Sequence, residues 1–240
     1  MSETVNTPTP VALITGGSEG LGLALTSALL GRGWQVVTDG RDAARLTAAV
    51  ASLSGQITAL QGDVRDPGHR DDLTDAVRRL GRLDLLVHNA SSLGRTPLPH
   101  LEDTTGTELH DVLDINLVVP LEITQSLLSL LTASNGVLVS ITSDAAIEHY
   151  EGWGAYGASK AALDHLTLTI GEETGVRAYA VDPGDMRTRM QQDAFPGEDI
   201  SDRPLPTSVV PRLLNLLDAR PPSGRYRATD FDHEPAGSRK

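Results

Sequence analysis

Cysteine is absent from the 240 residues, so the chain forms no disulfide, offers no thiolate to a metal and has no cysteine nucleophile. Aromatic residues make up only 3%, which leaves leucine, valine, isoleucine and alanine to fill a core. Positive charge is scarce: 20 basic against 32 acidic side chains leave a net −12. That balance argues against nucleic acid or an anionic membrane as the main partner, and it serves solubility. No apolar run reads as long enough to span a bilayer. The opening MSETVNTPTP is polar, holds two prolines and lacks the basic-then-apolar order of a signal peptide. It reads as a disordered lead-in over 1–9, ahead of one domain over 10–240 in a cytoplasmic protein. Histidines and carboxylates are scattered without a metal-ligand spacing such as H-E-x-x-H, so no catalytic metal is expected.

What is present is an alternation. Short apolar runs stand at Val11–Thr15, Gln35–Thr38, Ile57–Gln61, Leu83–His88, Val137–Ile141 and Val176–Val181, with a further strand at Arg225–Ala228. Several are apolar at consecutive positions, the pattern of strands covered on both faces. Helical patterns lie between them at Leu21–Gly31, Asp42–Leu53, Pro67–Leu80, Leu109–Leu131 (bent or broken at Pro120) and Ala155–Glu173. Repeated βα units predict a doubly wound α/β domain, a Rossmann fold with a central parallel sheet flanked by helices. The Pro- and charge-rich stretches 195–206 and 219–224 read as surface loops.

The first strand runs into TGGSEGLG, Thr15 to Gly22. Gly16, Gly20 and Gly22 let the backbone turn sharply and approach a pyrophosphate, and the next helix presents its free N–H groups there. A tight βα turn alone would also favour glycine, but the position at the first strand–helix junction points to a dinucleotide. After the second strand comes VVTDGRD. An acid at the strand tip would bind a ribose 2′-hydroxyl, and a guanidinium would pair with a 2′-phosphate. The register puts the tip near Gly40, with Arg41 just beyond and Asp39 turned to the other face. That favours Arg41 and NADP(H), with NAD(H) the alternative. Glu19, inside the loop, adds negative charge and argues the other way.

Tyr156 and Lys160 stand four positions apart in GAYGASKAAL, on one helical face. Ser143 follows the strand GVLVSI, thirteen residues before Tyr156. Asn116 lies in LDIN and Asn89 follows the fourth strand. In a doubly wound sheet these positions converge on the crevice at the strand C-termini. Reducing a carbonyl by hydride leaves an alkoxide that must be protonated. A phenol with a pKa of ~10 needs help to exchange protons near neutrality, and a nearby ammonium lowers it. Ser143 can polarise the substrate oxygen. Asn116 can hold a water that connects Lys160 to solvent.

In order and spacing, Thr15–Gly22, Asn89-Ala90, Asn116, Ser143, Tyr156/Lys160 and DPGDMRT (Asp182–Thr188) resemble the short-chain dehydrogenase/reductase family over roughly residues 10–190. The resemblance implies a nicotinamide cofactor and a catalytic set of Asn116, Ser143, Tyr156 and Lys160. It implies cofactor contacts from Gly16, Ser18, Gly20, Leu21, Gly22, Arg41, Asp63, Val64, Asn89, Tyr156, Lys160, Pro183, Gly184 and Thr188. It also implies a homodimer or homotetramer through Val118–Leu131 and Ala155–Glu173, whose Leu127, Leu131, Leu163 and Leu166 serve an interface or only the core. The chain departs from the family with HNAS at His88–Ser91, where NNAG is common, and with GRYRATDFD in place of a glycine-rich finish. His88 reads as structural. His149, Tyr150, Glu151 and Trp153 should border the substrate. Arg187 and Arg189 either meet an acidic substrate or offset Asp185 and Asp193. The expected activity is hydride transfer between a nicotinamide cofactor and a small carbonyl or secondary alcohol. A non-catalytic NAD(P)-binding redox sensor is the alternative, and a sensor has no need of all four catalytic groups together. An epimerase or dehydratase fits poorly, because too little chain follows Thr188 for a second domain.

Overall fold

The computed structural model describes residues 8–232, so most of the expected lead-in lies outside the described residues. Seven strands form one parallel sheet: β1 (Val11–Ile14), β2 (Gln35–Gly40), β3 (Gln56–Gln61), β4 (Leu85–His88), β5 (Val137–Ile141), β6 (Arg177–Asp182) and β7 (Gly224–Arg227). Their order is β3-β2-β1-β4-β5-β6-β7. Chain order reverses direction between β1 and β4, and a crevice opens at such a point. Ile14 pairs with Thr38 on one side and Val87 on the other, which aligns three strand ends at its rim.

Alternate residues of each strand serve opposite faces. Ala12, Ile14, Leu85, Val139 and Val181 meet Leu25 and Leu29 of α1 (Gly20–Gly31) and Val209 and Leu213 of α8 (Pro206–Ala219). Val11, Leu13, Leu86 and Leu138 meet Leu73 of α3 (Pro67–Leu80) and Ile123, Leu127 and Leu131 of α5 (Val119–Ala133). Leu127, Leu131 and Leu163 are almost wholly buried, so they belong to the core and are not free for an interface. Helix α2 (Ala43–Ala51) starts on the Asp42 carboxylate, which accepts from Arg45 N. Helix α3 starts on Asp66 and Pro67 and stops at Gly81 in a left-handed conformation.

Two expectations are corrected. The helix expected over Leu109–Leu131 is divided at Asp114–Val118, a π turn between α4 (Gly106–Leu113) and α5, upstream of Pro120. Pro120 has no N–H for the Asn116 carbonyl four residues earlier, and the wider turn absorbs that loss. Taken with the π turn, the helical run Gly106–Ala133 spans 28 residues and is apolar enough to cross a bilayer by length and composition, unlike the sequence reading. Its apolar side is spent on the core. The stretches 195–206 and 219–224 are loop except at their ends, as expected, and α7 (Arg189–Ala194) and α8 flank them. Pro206 sits in the first turn of α8. Pro211 is inside it but exposed, as is Thr207, whose carbonyl can turn to water. Tyr156 and Lys160 stand on α6, Gly154–Thr174.

Candidate active site

At the switch point lies a cleft of about 640 Å³. Its floor is the glycine loop. Gly16 (φ +72°) and Gly20 (φ +59°) occupy the left-handed region. A Cβ on Gly22 would overlap the Gly16 carbonyl and Asn89 Nδ2, so α1 can lie this close to the turn only with glycine there. Three tethers hold the loop. Gly16 N donates to Asp39 Oδ1 at 2.6 Å. Asn89 Nδ2 donates to the carbonyls of Thr15 (2.9 Å) and Gly16 (3.1 Å). The Thr15 hydroxyl accepts from Asn89 N and Ala90 N, both at 3.1 Å. Glu19, the N-cap of α1, makes no side-chain cap, so the first-turn N–H groups remain for an anion. A dinucleotide pyrophosphate fits this cradle.

The adenosine end is set by how its charges are spent. Asp39 is buried, and its second oxygen lies 3.2 Å from His69 Nε2, also buried. Glu19 turns onto Arg45 at 3.0 Å. Asp63 is paired with Arg65 at 2.8 Å, and that guanidinium holds its carboxyl below the usual range. Arg41 is exposed at the rim, and its guanidinium has no hydrogen bond or ion pair among the described residues. A Cβ on Gly40 would stand 2.7 Å from Ser18 Cβ, which leaves no room there for an acid.

At the other end α6 carries Tyr156 and Lys160, both buried. Lys160 Nζ donates to the Ile141 carbonyl at 2.8 Å and lies 5.6 Å from the centre of the Tyr156 ring. Burial pulls Lys160 down to about 8, with Asp164 acting the other way. The expectation that Lys160 lowers the phenol is not met with protein groups alone around it. Burial pushes Tyr156 well above its ordinary value, a Ser91 hydrogen bond opposes that, and Asp144 and Asp182 reinforce it. The reason is that the ammonium is turned to Ile141 while the phenol sits in apolar surroundings. Ser143 Oγ donates to Asp144 Oδ1 at 3.0 Å and accepts from Ala145 N at 3.2 Å. Pro183, Gly184 and Thr188 close the far wall, and Thr188 caps α7.

Of the catalytic and cofactor residues expected here, all but Gly22 and Asn116 line the cleft. Asn116 stands behind it with its side chain saturated. Its Oδ1 accepts from Ser92 N (2.8 Å) and Ser91 Oγ (3.0 Å). Its Nδ2 donates to the Ser92 carbonyl (2.9 Å) and Ser159 Oγ (2.8 Å). The amide therefore has no donor or acceptor left for a relay water. Tyr150, Trp153 and Arg189 line the cleft, whereas His149, Glu151 and Arg187 do not. Glu151 pairs with His100 at 3.1 Å. His88 is structural: it is buried, 2.7 Å from Thr124 Oγ1, and burial takes it down to about 3. Leu93, Ile115 and Gln191 also line the cleft and carry no sequence signal that separates them from core or loop.

The profile of the short chain dehydrogenases matches residues 10–199. The chain belongs to that family. This short-chain dehydrogenase is therefore a nicotinamide-dependent oxidoreductase. Over 200 residues it is 32% identical to the benzil reductase ((S)-benzoin forming) of Saccharomyces cerevisiae, covering 76% of this chain and 74% of that protein. It is 32% identical over 181 residues to the serine 3-dehydrogenase of Agrobacterium fabrum, 73% of this chain and 72% of that protein. Its fold superposes on the Escherichia coli oxidoreductase yciK with a TM-score of 0.81 at 28% identity, covering 91% of this chain and 94% of that one. A Shigella flexneri structure described as a short chain dehydrogenase complexed with NADP gives 0.80 at 29% identity, covering 92% and 97%.

Proposed function

We propose that this dehydrogenase reduces a small neutral carbonyl with NADPH, and oxidises the matching secondary alcohol in reverse. The observation that carries the reading is one helical turn that faces the cleft with a buried phenol and a buried ammonium, opposite Ser143. When bound, the nicotinamide supplies or accepts the hydride. Ser143 turns its hydroxyl from Asp144 to the substrate oxygen and polarises it. Tyr156, held protonated by burial, gives its proton to the developing alkoxide. Lys160 steadies the phenolate left behind, and a water on the Asn116 main-chain carbonyl returns the proton through Lys160. Arg41 takes the 2′-phosphate. Ser18, Leu21, Asp63, Val64, Pro183, Gly184 and Thr188 make the remaining cofactor contacts.

Trp153 supports a substrate with an apolar or aryl face. It packs edge-on to Tyr156 at 5.5 Å and against Phe195 at 6.0 Å, and Leu93 and Met190 join the same wall. Asp144 and Asp185 on the rim disfavour an anion. A relative named for reducing benzil accords with that choice. The same reading takes 10–240 as one domain in a cytoplasmic protein with no nucleic acid or membrane partner. It pairs copies into a dimer or tetramer through α5 and α6, where Val118, just before α5, is exposed and Leu166 of α6 is half-buried. Sedimentation as a monomer would remove the oligomer.

The test is NADPH consumption with a panel of aryl ketones and 2-keto acids. The ketones are expected to turn over and the keto acids to lag, with Tyr156→Phe lowering kcat at least a hundredfold. Full turnover by Tyr156→Phe would end the acid–base assignment.

A further inference from the structure

The last strand supplies an arginine that the hydride-transfer reading leaves unused. Arg225 lies in GRYRATDFD, where the sequence departs from the family's glycine-rich finish. Its side chain is 20% exposed and joins three other elements. Nε donates to Asp164 Oδ2 of α6 at 2.9 Å. Nη2 donates to the main-chain carbonyl of Ser143, just past β5, also at 2.9 Å. The same nitrogen lies 3.8 Å from Asp182 Oδ2 at the end of β6. Asp164 stands one helical turn beyond Lys160, is 8% exposed, and leaves Oδ1 without a hydrogen-bond partner. Neither Arg225 nor Asp164 lines the cleft.

We infer that Arg225 is a positioning residue which fixes the Ser143 main chain and, by neutralising Asp164, sets the charge felt by Lys160 and Tyr156. The inference rests on the hydride-transfer reading above. A guanidinium on a strand-end carbonyl fixes the direction from which the Ser143 hydroxyl leaves the backbone. The electrostatic part follows from the order of charges, Lys160, Asp164, Arg225. Alone, the Asp164 carboxylate would oppose a phenolate one turn beyond Lys160; beside Arg225 it is largely cancelled. The other charges facing the pair are Asp144 and Asp182, which also disfavour the phenolate. Arg227 acts on Asp182, and His88, next to Lys160, is neutral.

The experiment follows the pH dependence of kcat/KM for alcohol oxidation, with a substrate that the wild type turns over. The variants are R225Q, R225K, D164N and R225Q/D164N, with Y156F as reference. Losing Arg225 makes the site more negative, so R225Q should move the rising limb upward by roughly half a pH unit to one unit. Its kcat should fall about tenfold, with the Kd for NADPH unchanged. D164N should move the limb downward. The double variant should restore the limb but not kcat, because the Ser143 carbonyl still lacks its donor. R225K, which keeps the charge, should restore the limb. If R225Q and D164N lower the melting temperature but leave the limb in place, Arg225 is only a structural clamp and the inference is overturned. If R225Q does not fold, D164N decides alone, and an unmoved limb overturns the inference. An active Y156F would instead bring down the hydride-transfer reading itself.

Discussion

Replacing Arg41 with alanine is expected to weaken NADPH binding about tenfold to thirtyfold and to leave NADH almost unchanged. Around the adenosine end each other charge has a partner: Glu19 holds Arg45, Asp63 holds Arg65, and Asp39 is turned inward to Gly16 and His69. Arg41 is the cation left facing the cleft. Charged hydrogen bonds contribute about 1.5–3 kcal/mol, and screening at an exposed rim puts this one near the low end, about 1.5–2 kcal/mol. At about 1.4 kcal/mol per decade, that is the expected factor. The assay is fluorescence titration of wild type and Arg41→Ala with NADPH and NADH at low and high salt. The NADPH advantage of the wild type should shrink as salt rises. Arg41→Ala should not become an NADH enzyme, because Gly40 has no space for the acid that would hold a 2′-hydroxyl. Tighter NADH than NADPH binding in the wild type, or equal losses for both cofactors in the variant, would refute the assignment.

Two further outcomes follow from buried groups. Lys160 has its pKa lowered from 10.5 to about 8 in the folded protein, so between those values the unfolded chain binds the extra proton and stability rises with pH. Relative to Lys160→Met, the wild type should gain about 2–3 kcal/mol in urea denaturation from pH 8 to 10, and a flat difference would contradict the burial argument. Asp39→Ala removes the acceptor of both Gly16 N and His69 Nε2. It should cost about 2–4 kcal/mol of stability in the same assay and loosen NADPH, whereas unchanged stability would show that the loop holds itself.

The alternation of strands and helices was legible because strands covered on both faces must be apolar at successive positions, as Val11–Ile14 and Val137–Ile141 are. Gly16 and Gly22 were legible because backbone geometry there excludes other residues. The sequence assigns no element at α8, because the helix opens on Pro206 and carries Pro211 inside, residues compatible with a helix only in the first turn and on the solvent side. The saturation of Asn116 depends on Ser91, Ser92 and Ser159, and no spacing rule links them. The Tyr156–Lys160 spacing announced a pair on one face, but the Ile141 carbonyl that draws the ammonium away lies on another element. Asp39 and His69, 30 positions apart, meet only because α3 packs beside β2.

The tethers of the glycine loop also carry an order in time. Gly16 leaves a ribosome well before the Asn89 amide that bonds its carbonyl, which follows 73 positions later. Thr15 N waits as long for the Val87 carbonyl, because β4, though fourth in sequence, is the strand that docks beside β1. A nascent chain that ends before β4 has β1, β2 and β3 to pair but only the Asp39 side of the loop's support. The nucleotide cradle is thus begun at β1 and completed only once β4 has been made.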